Sequence, residues 1–297
     1  MTGGYKRIAS LAFLLSFVGI AGQLSAQQGC TSFPGMHIPS RPDTAPGGDV
    51  LYEQIRALDL LDRETVIVEA FLQGNLPEAL RRAVYIETEQ ADKNGKLHRV
   101  GFWALPDYLA LGSDEDYFRI PMSPLAAQAI ADAFGASMPT PKMVDLIYEA
   151  AECKLDPFPY KPRGSRSEGV DIFYDHSRVI SAQQFAAGYA FGVLTAGTKK
   201  DLVLSSRLAD TARANHVTIY GWHRLDGKAI QPVTNVHINN YIDYSHGLRL
   251  VSNSVCVDGQ VFLLEDLLKD PLYFCLLSGE PQPLQRTNYR GDSWHNQ

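Results

Sequence analysis

Residues 216–249 read HVTIYGWHRLDGKAIQPVTNVHINNYIDYSHGLR. The run 216–225 is rich in β-branched and aromatic residues, Asp226-Gly227 follows, and 228–231 return. This predicts two antiparallel strands joined by a two-residue hairpin turn. Residues 236–244 read as a further strand. Alternation along it would set His237, Asn239, Tyr241, Asp243 and Ser245 on one face and Val236, Ile238, Ile242 and Tyr244 on the other. Outward from here, 82–88 and 99–105 are strand-like on either side of Asn94-Gly95, a second hairpin signal. Shorter strands are expected at 108–111 and 117–121, and another in Leu202-Val203-Leu204-Ser205-Ser206.

Helices are punctuated as clearly. Ser123 caps, Pro124 takes the first helical position and Gly135 ends the first of them. Thr140-Pro141 repeats the device, with Met143, Leu146, Ile147 and Ala150 on one face. Helical spacing also marks Leu51, Ile55, Leu58 and Leu61, and residues 64–73, 181–191 and 261–269. The fold expected is α+β: a single domain with a mainly antiparallel sheet, drawn from 82–121 and 200–245 and flanked by helices.

The ends frame this domain. Lys6 and Arg7, an apolar run over 8–20 and Leu24-Ser25-Ala26 form an export signal, with cleavage expected after Ala26. The apolar run is too short to span a bilayer. Residues 27–48 are rich in Gly, Pro, Ser and Thr and read as a flexible leader, residues 49–280 as the globular domain, and 281–297 as a frayed tail. The polar stretch 156–169 marks a candidate internal boundary, and its Lys161, Arg163 and Arg166 read as a solvated loop. Removing residues 1–26 takes two basic and no acidic side chains, moving the net charge from −6 to −8. That balance speaks against a nucleic-acid partner and against binding to anionic membranes. A secreted or periplasmic location is expected, with no membrane association after cleavage. Four cysteines in an oxidising compartment suggest disulfides, and Cys256 with Cys275, closest in sequence, is the expected pair.

Four of the eight histidines fall within 216–249. There, His246 with Asp243, His237, Ser245 and Arg249 form the candidate catalytic set. A histidine oriented by Asp243 would act as general base for Ser245 or a water, and Arg249 would hold an anion. His223, His237, Asp243 and His246 form a candidate set for a divalent metal such as zinc, although no compact zinc motif is present. His223 and His216 also have plain packing roles open to them, and His176 lies outside the cluster. Gly197-Thr198-Lys199-Lys200-Asp201 reads as a salt-bridged strand edge. No phosphate loop and no G-x-S-x-G elbow occurs.

Ser245-His246-Gly247-Leu248-Arg249 resembles the S-H-G-C-[IV]-R motif of the L,D-transpeptidases, periplasmic peptidoglycan enzymes with a cysteine nucleophile. The cysteine has no counterpart between Gly247 and Leu248, so the resemblance supplies no nucleophile. The wider set of Tyr220 to His223 and Tyr241 to Arg249 resembles a pattern of secreted bacterial proteins and implies no particular activity. Two functions are expected. One is a cell-envelope hydrolase or transferase acting on a peptide, peptidoglycan or glycan bond. The other is a secreted binding protein whose His/Arg cluster holds an anionic small-molecule, peptide or cell-wall ligand.

Overall fold

The structure is a computed structural model, and it describes Cys30 and residues 35–161 and 167–292. The export signal, Arg163, Arg166 and the last five residues lie outside the described part. In chain order the elements are α1 (Gly48–Ile55), α2 (Leu60–Leu72), β1 (Val84–Ala91), β2 (Leu97–Ala104), β3 (Ala110–Gly112), β4 (Tyr117–Arg119), α3 (Pro124–Phe134), β5 (Ala136–Ser137), α4 (Pro141–Ala150) and β6 (Cys153–Lys154). There follow α5 (Val170–Ala186), β7 (Thr195–Ala196), β8 (Lys200–Leu202), β9 (Ile219–His223), β10 (Ala229–Thr234), β11 (His246–Gly247), β12 (Val251–Val257), β13 (Gln260–Leu263), α6 (Leu264–Lys269) and α7 (Phe274–Leu277). The architecture is α+β with mainly antiparallel pairing, the exceptions being β8 with β11 and β6 with β7.

The strands do not form the one sheet expected from 82–121 and 200–245. One sheet has the order β1-β2-β12-β13, with β5 also paired to β12, and a second has the order β10-β9-β8-β11. The strand β12, VSNSVCV, interleaves polar residues with its apolar ones and had no predicted counterpart. It supplies the central partner that the 82–121 strands need. Around both sheets, one apolar core draws on residues from Met36 to Tyr289, on both sides of the 156–169 stretch.

Local signals set several elements. Ser123 Oγ accepts from Ala126 N, and Gly135 closes α3 in the left-handed region (φ 64°). Thr140 caps α4 in the same way. Helix α5 starts well before the expected residue 181: Val170, Phe173, Ser177, Ile180 and Gln184 share its buried stripe, and that burial outweighs the low helix propensity of its β-branched residues.

Both ends are tied down where they are described. Met36 is buried, His37 N donates to Phe134 O at 2.7 Å, and Arg41 reaches Asn75 and Gly112 O. The expected frayed tail docks through Tyr289. Its hydroxyl accepts from Thr218 N at 3.0 Å and donates to Val203 O at 3.2 Å, and Arg290 pairs with Asp132.

The disulfide also differs from expectation: Cys30 is bonded to Cys256, and Cys153 and Cys275 are free. Cys256 lies on β12, where it pairs with Gly101 of β2. Cys275 Sγ sits against Ala91 O, at the far end of β1. Two strand spacings of roughly 4.8 Å each, plus the offset along β1, separate these thiols beyond bonding reach. Closeness in sequence carried no information about that sheet order.

Candidate functional site

The site is built where β8 meets β11. Their parallel register sets Lys200 beside His246 and Asp201 beside Gly247. Gly247 is required by crowding: a Cβ there would lie 2.5 Å from Tyr108 Cδ1 and 2.9 Å from Lys199 Cβ. Residues 236–244 do not form the predicted strand. A single bridge, His216 to Ile238, is followed by turns at 239–240 and 244–245. The reason is local competition: Ser245 N and Ser245 Oγ both donate to Asp243 Oδ1, the first at 2.8 Å, and His246 N donates to Asp243 O at 3.1 Å. The site is thus gathered by a tight turn, not by one face of a strand.

This turn brings Asp243, Ser245 and His246 together, with His237, Tyr241 and Lys200 around them. His246 Nε2 lies 4.0 Å from Asp243 Oδ1 and has no hydrogen-bond partner among the described residues, although the ring is only 1% exposed. Tyr241 Oη reaches Asp243 Oδ2 at 3.4 Å, and Lys200 Nζ lies 3.7 Å from the same oxygen. The His237 ring stacks on Tyr241, centroids 4.2 Å apart, and lies 6.5 Å from the His246 ring. The His246 ring is thus enclosed and not open to solvent.

Burial lowers the His246 imidazole to about 4, helped by the nearby Lys200, His237 and Lys199 and opposed by Asp243. It is therefore neutral at pH 7. Burial pushes the Asp243 carboxyl up, but the cationic neighbours and the two Ser245 donors outweigh it and hold Asp243 well below the usual carboxylate range. Above pH 4 His246 is uncharged, so Lys200 and Ser245 are what keep Asp243 ionised there. Burial also depresses His237, and burial with Asp243 beside it raises Tyr241 to about 12.

Other expected members lie elsewhere. Arg249 is buried, donates to Leu105 O at 2.8 Å and Thr195 O at 2.5 Å, and lies over the Tyr108 ring. Its donors satisfy backbone carbonyls, so it is not the anion holder of the site. His223 pairs with Asp145 at 2.9 Å and stacks on Tyr148, a packed and satisfied histidine. The four-ligand metal set therefore does not converge, and among the described residues no group of three or more His, Cys, Asp or Glu is arranged to hold a metal ion. His216 Nδ1 meets Ala214 O at 3.0 Å, outside the cluster.

Several groups in or beside the site were not assigned to it from the sequence. Lys199-Lys200-Asp201 is salt-bridged as expected, through Lys200 and Asp243, but it is no strand edge: β8 lies between β9 and β11, and Lys199 and Asp201 are buried. Lys199 Nζ donates to Tyr244 O at 2.6 Å, and burial lowers it to about 7. Asp201 accepts from Tyr108 Oη at 2.9 Å, and burial raises it to about 6. His176 is fully buried under Tyr160 and Tyr244, neither ring nitrogen has a well-formed hydrogen bond among the described residues, and its imidazole is held well below its usual value by burial. Trp222, with φ 59°, occupies the left-handed region, at a cost of about 1–3 kcal/mol. Charged residues in sequence next to Leu202-Val203-Leu204 were the available signal, because such a run embedded beside an apolar strand needs partners.

Two of these groups give opposite pH dependences. Unfolded histidine takes its proton near 6.5 and His246 only at about 4, so its contribution to stability is present above 6.5 and is lost as pH falls towards 4. The change is about 3 kcal/mol, since each tenfold change in proton affinity is worth about 1.4 kcal/mol. Buried His176 acts in the same direction. Asp201 is raised from 3.8 to about 6, so its contribution is present below 3.8 and is lost as pH rises through 6, again about 3 kcal/mol. The two oppose each other between pH 4 and 6. Asp201→Asn should expose the histidine slope, with stability climbing by about 3 kcal/mol more than in wild type over that range. Urea melts at pH 4, 5 and 6 measure it, and an unchanged slope in the variant would contradict the assignment.

A surface hollow of about 420 Å³ lies apart from this cluster, lined by Asp49, Asp116, Tyr117, Tyr174 and Arg178. Its Asp116 carboxylate accepts from Asp49 N at 3.0 Å and so caps α1, a structural task. No protein-family model, curated protein or solved structure matches this chain.

Proposed function

We propose that the protein is an exported cell-envelope hydrolase or transferase acting on a peptide, peptidoglycan or glycan bond, with His246 as its general base. One observation carries this reading: a buried, neutral imidazole whose Nε2 has no partner among the described residues stands beside an ionised Asp243. His223, a packed histidine, has its Nε2 engaged by Asp145. His176, whose ring nitrogens also lack a well-formed hydrogen bond among the described residues, has no ion pair with a carboxylate there, whereas His246 combines an unpartnered Nε2 with an adjacent carboxylate. Nε2 of His246 carries a lone pair committed to no described donor, and it would take a proton from a water or substrate hydroxyl admitted to this enclosed site. Asp243 stabilises the imidazolium that forms, and the Tyr241 hydroxyl offers a donor for negative charge developing on the substrate. Ser245 directs its hydroxyl proton at Asp243, so its role is to position that carboxylate and not to attack.

The alternative, a binding protein whose His/Arg cluster holds an anionic ligand, loses its guanidinium, since Arg249 is committed to backbone carbonyls. A disulfide such as Cys30–Cys256 persists in oxidising compartments, which is where an exported protein would work. No helix among the described residues is long and apolar enough to cross a membrane. The test is incubation of the folded protein with isolated peptidoglycan between pH 5 and 8, counting new amino and reducing ends. Release of either is expected. No release of either across that range would overturn the proposal.

A further inference from the structure

The pairing of β8 with β9 and β11 leaves one charged side chain in an unusual position. Lys200 lies opposite Gly221 on β9 and beside His246 on β11, and its backbone N donates to Ser245 O at 2.7 Å. Its ammonium is confined on two sides, 5.1 Å from the centroid of the Trp222 ring and 3.7 Å from Asp243 Oδ2. The Trp222 ring reaches that place because Gly221 (φ 107°) and Trp222 (φ 59°) both leave the extended conformation within β9, while Trp222 N still donates to Lys199 O at 3.0 Å. A left-handed tryptophan in a strand is not explained by the hairpin, whose turn lies at Asp226-Gly227. It is explained if the indole has to face Lys200.

We propose that Lys200 is a positioning residue of the Asp243–His246 site, fixing the Asp243 carboxylate beside His246, and that Trp222 holds Lys200 in place. The inference rests on the acid–base reading of His246. The charged and titratable groups around the pair are few. His246 faces Asp243 from its own turn, Lys200 and Lys199 from β8 and His237 from the loop after β10. Asp243 meets Lys200, His246, Tyr241 and Ser245, and Glu168 before α5, Lys199 on the approach to β8, His237 and His176 of α5 are near enough to feel its charge. Among the described residues of this group, Lys200 is the cation within 4 Å of the carboxylate. It opposes a proton on either member of the pair, so it keeps His246 a neutral base and Asp243 an anion.

The test is an imidazole NMR titration of the full chain, treated with chelator and carried out on wild type, Lys200→Met, Lys200→Arg and Trp222→Phe. Loss of the cation should raise the His246 midpoint by roughly one pH unit, the effect of one charge a few ångströms away. Lys200→Arg should restore most of the wild-type value. Trp222→Phe keeps the charge and a weaker ring, and should move the midpoint upward by less. Should Lys200→Met fail to fold, Lys200→Gln takes its place with the same expectation. A midpoint unchanged in the folded neutral variant, or one that arginine does not restore, would overturn the role of Lys200. The titration needs no substrate. A flat titration therefore removes Lys200 and leaves the catalytic proposal standing, whereas absence of turnover removes the catalytic proposal and leaves the titration valid.

Discussion

Reduction of the Cys30–Cys256 bond should destabilise the protein by about 5 kcal/mol in the loop-entropy model, and by no less than about 2 kcal/mol after native-state strain and residual denatured structure are allowed for. The bond joins residues 226 positions apart, so it removes a large share of the unfolded chain's freedom. It also ties the start of the chain to β12, the strand through which β2 and β13 are joined. Cys256→Ser should lower the melting temperature by roughly 4–20 °C, given about 2–4 °C per kcal/mol for a domain of this size. Cys275→Ser, at a free thiol against the end of β1, should change stability by less than about 1 kcal/mol. Denaturant melts with and without reductant check both. A reduced protein that unfolds at the wild-type midpoint would contradict the pairing.

The buried Arg119–Asp107 pair should show the next largest effect. Arg119 Nη2 and Nε lie 2.7 and 3.1 Å from Asp107 Oδ2, and both side chains are fully buried. The remaining guanidinium donors go to Ser181 Oγ at 2.8 Å and Gln184 Oε1 at 2.9 Å, and the Tyr117 and Phe191 rings cover it. Asp107→Ala would leave a guanidinium in the core with no counter-charge, at a cost of about 3–5 kcal/mol. Arg119→Met removes the charge while filling much of the volume, but it strands Asp107 and should cost a similar amount. The double variant Asp107→Ala/Arg119→Met should lose less than the sum of the singles, because neither charge is then left alone. Urea unfolding of the three variants measures this coupling. Strict additivity would contradict it.

What the sequence made legible was local. Asn94-Gly95 and Asp226-Gly227 mark their turns because turn chemistry is set by the residues within it, and β1 with β2 and β9 with β10 pair across those turns. The caps at Ser123, Gly135 and Thr140 are legible for the same reason. So was the pairing of Asp243 with His246, which lie in one turn. Pairings between distant segments were not legible. Nothing near Lys200 announces that it will lie beside His246, and nothing near Arg249 announces that Leu105 O and Thr195 O will take its donors. Alternation over 236–244 was present but misleading. Asn239-Asn240 and the Asp243–Ser245 hydrogen bonds offer the backbone a turn in place of a ladder.

His246 itself separates chemistry from packing. Because the ring is buried, His246→Ala would create a cavity and lose stability whatever its role. His246→Gln keeps most of the volume and a polar head but cannot act as the base. The decisive measurement is bond cleavage of peptidoglycan at pH 7 by wild type and His246→Gln, with urea midpoints for both. A general base predicts a rate lower by roughly 10²–10⁴-fold with a stability loss under about 1.5 kcal/mol. A variant that keeps wild-type turnover, or one that loses turnover only in proportion to its unfolded fraction, would contradict the account.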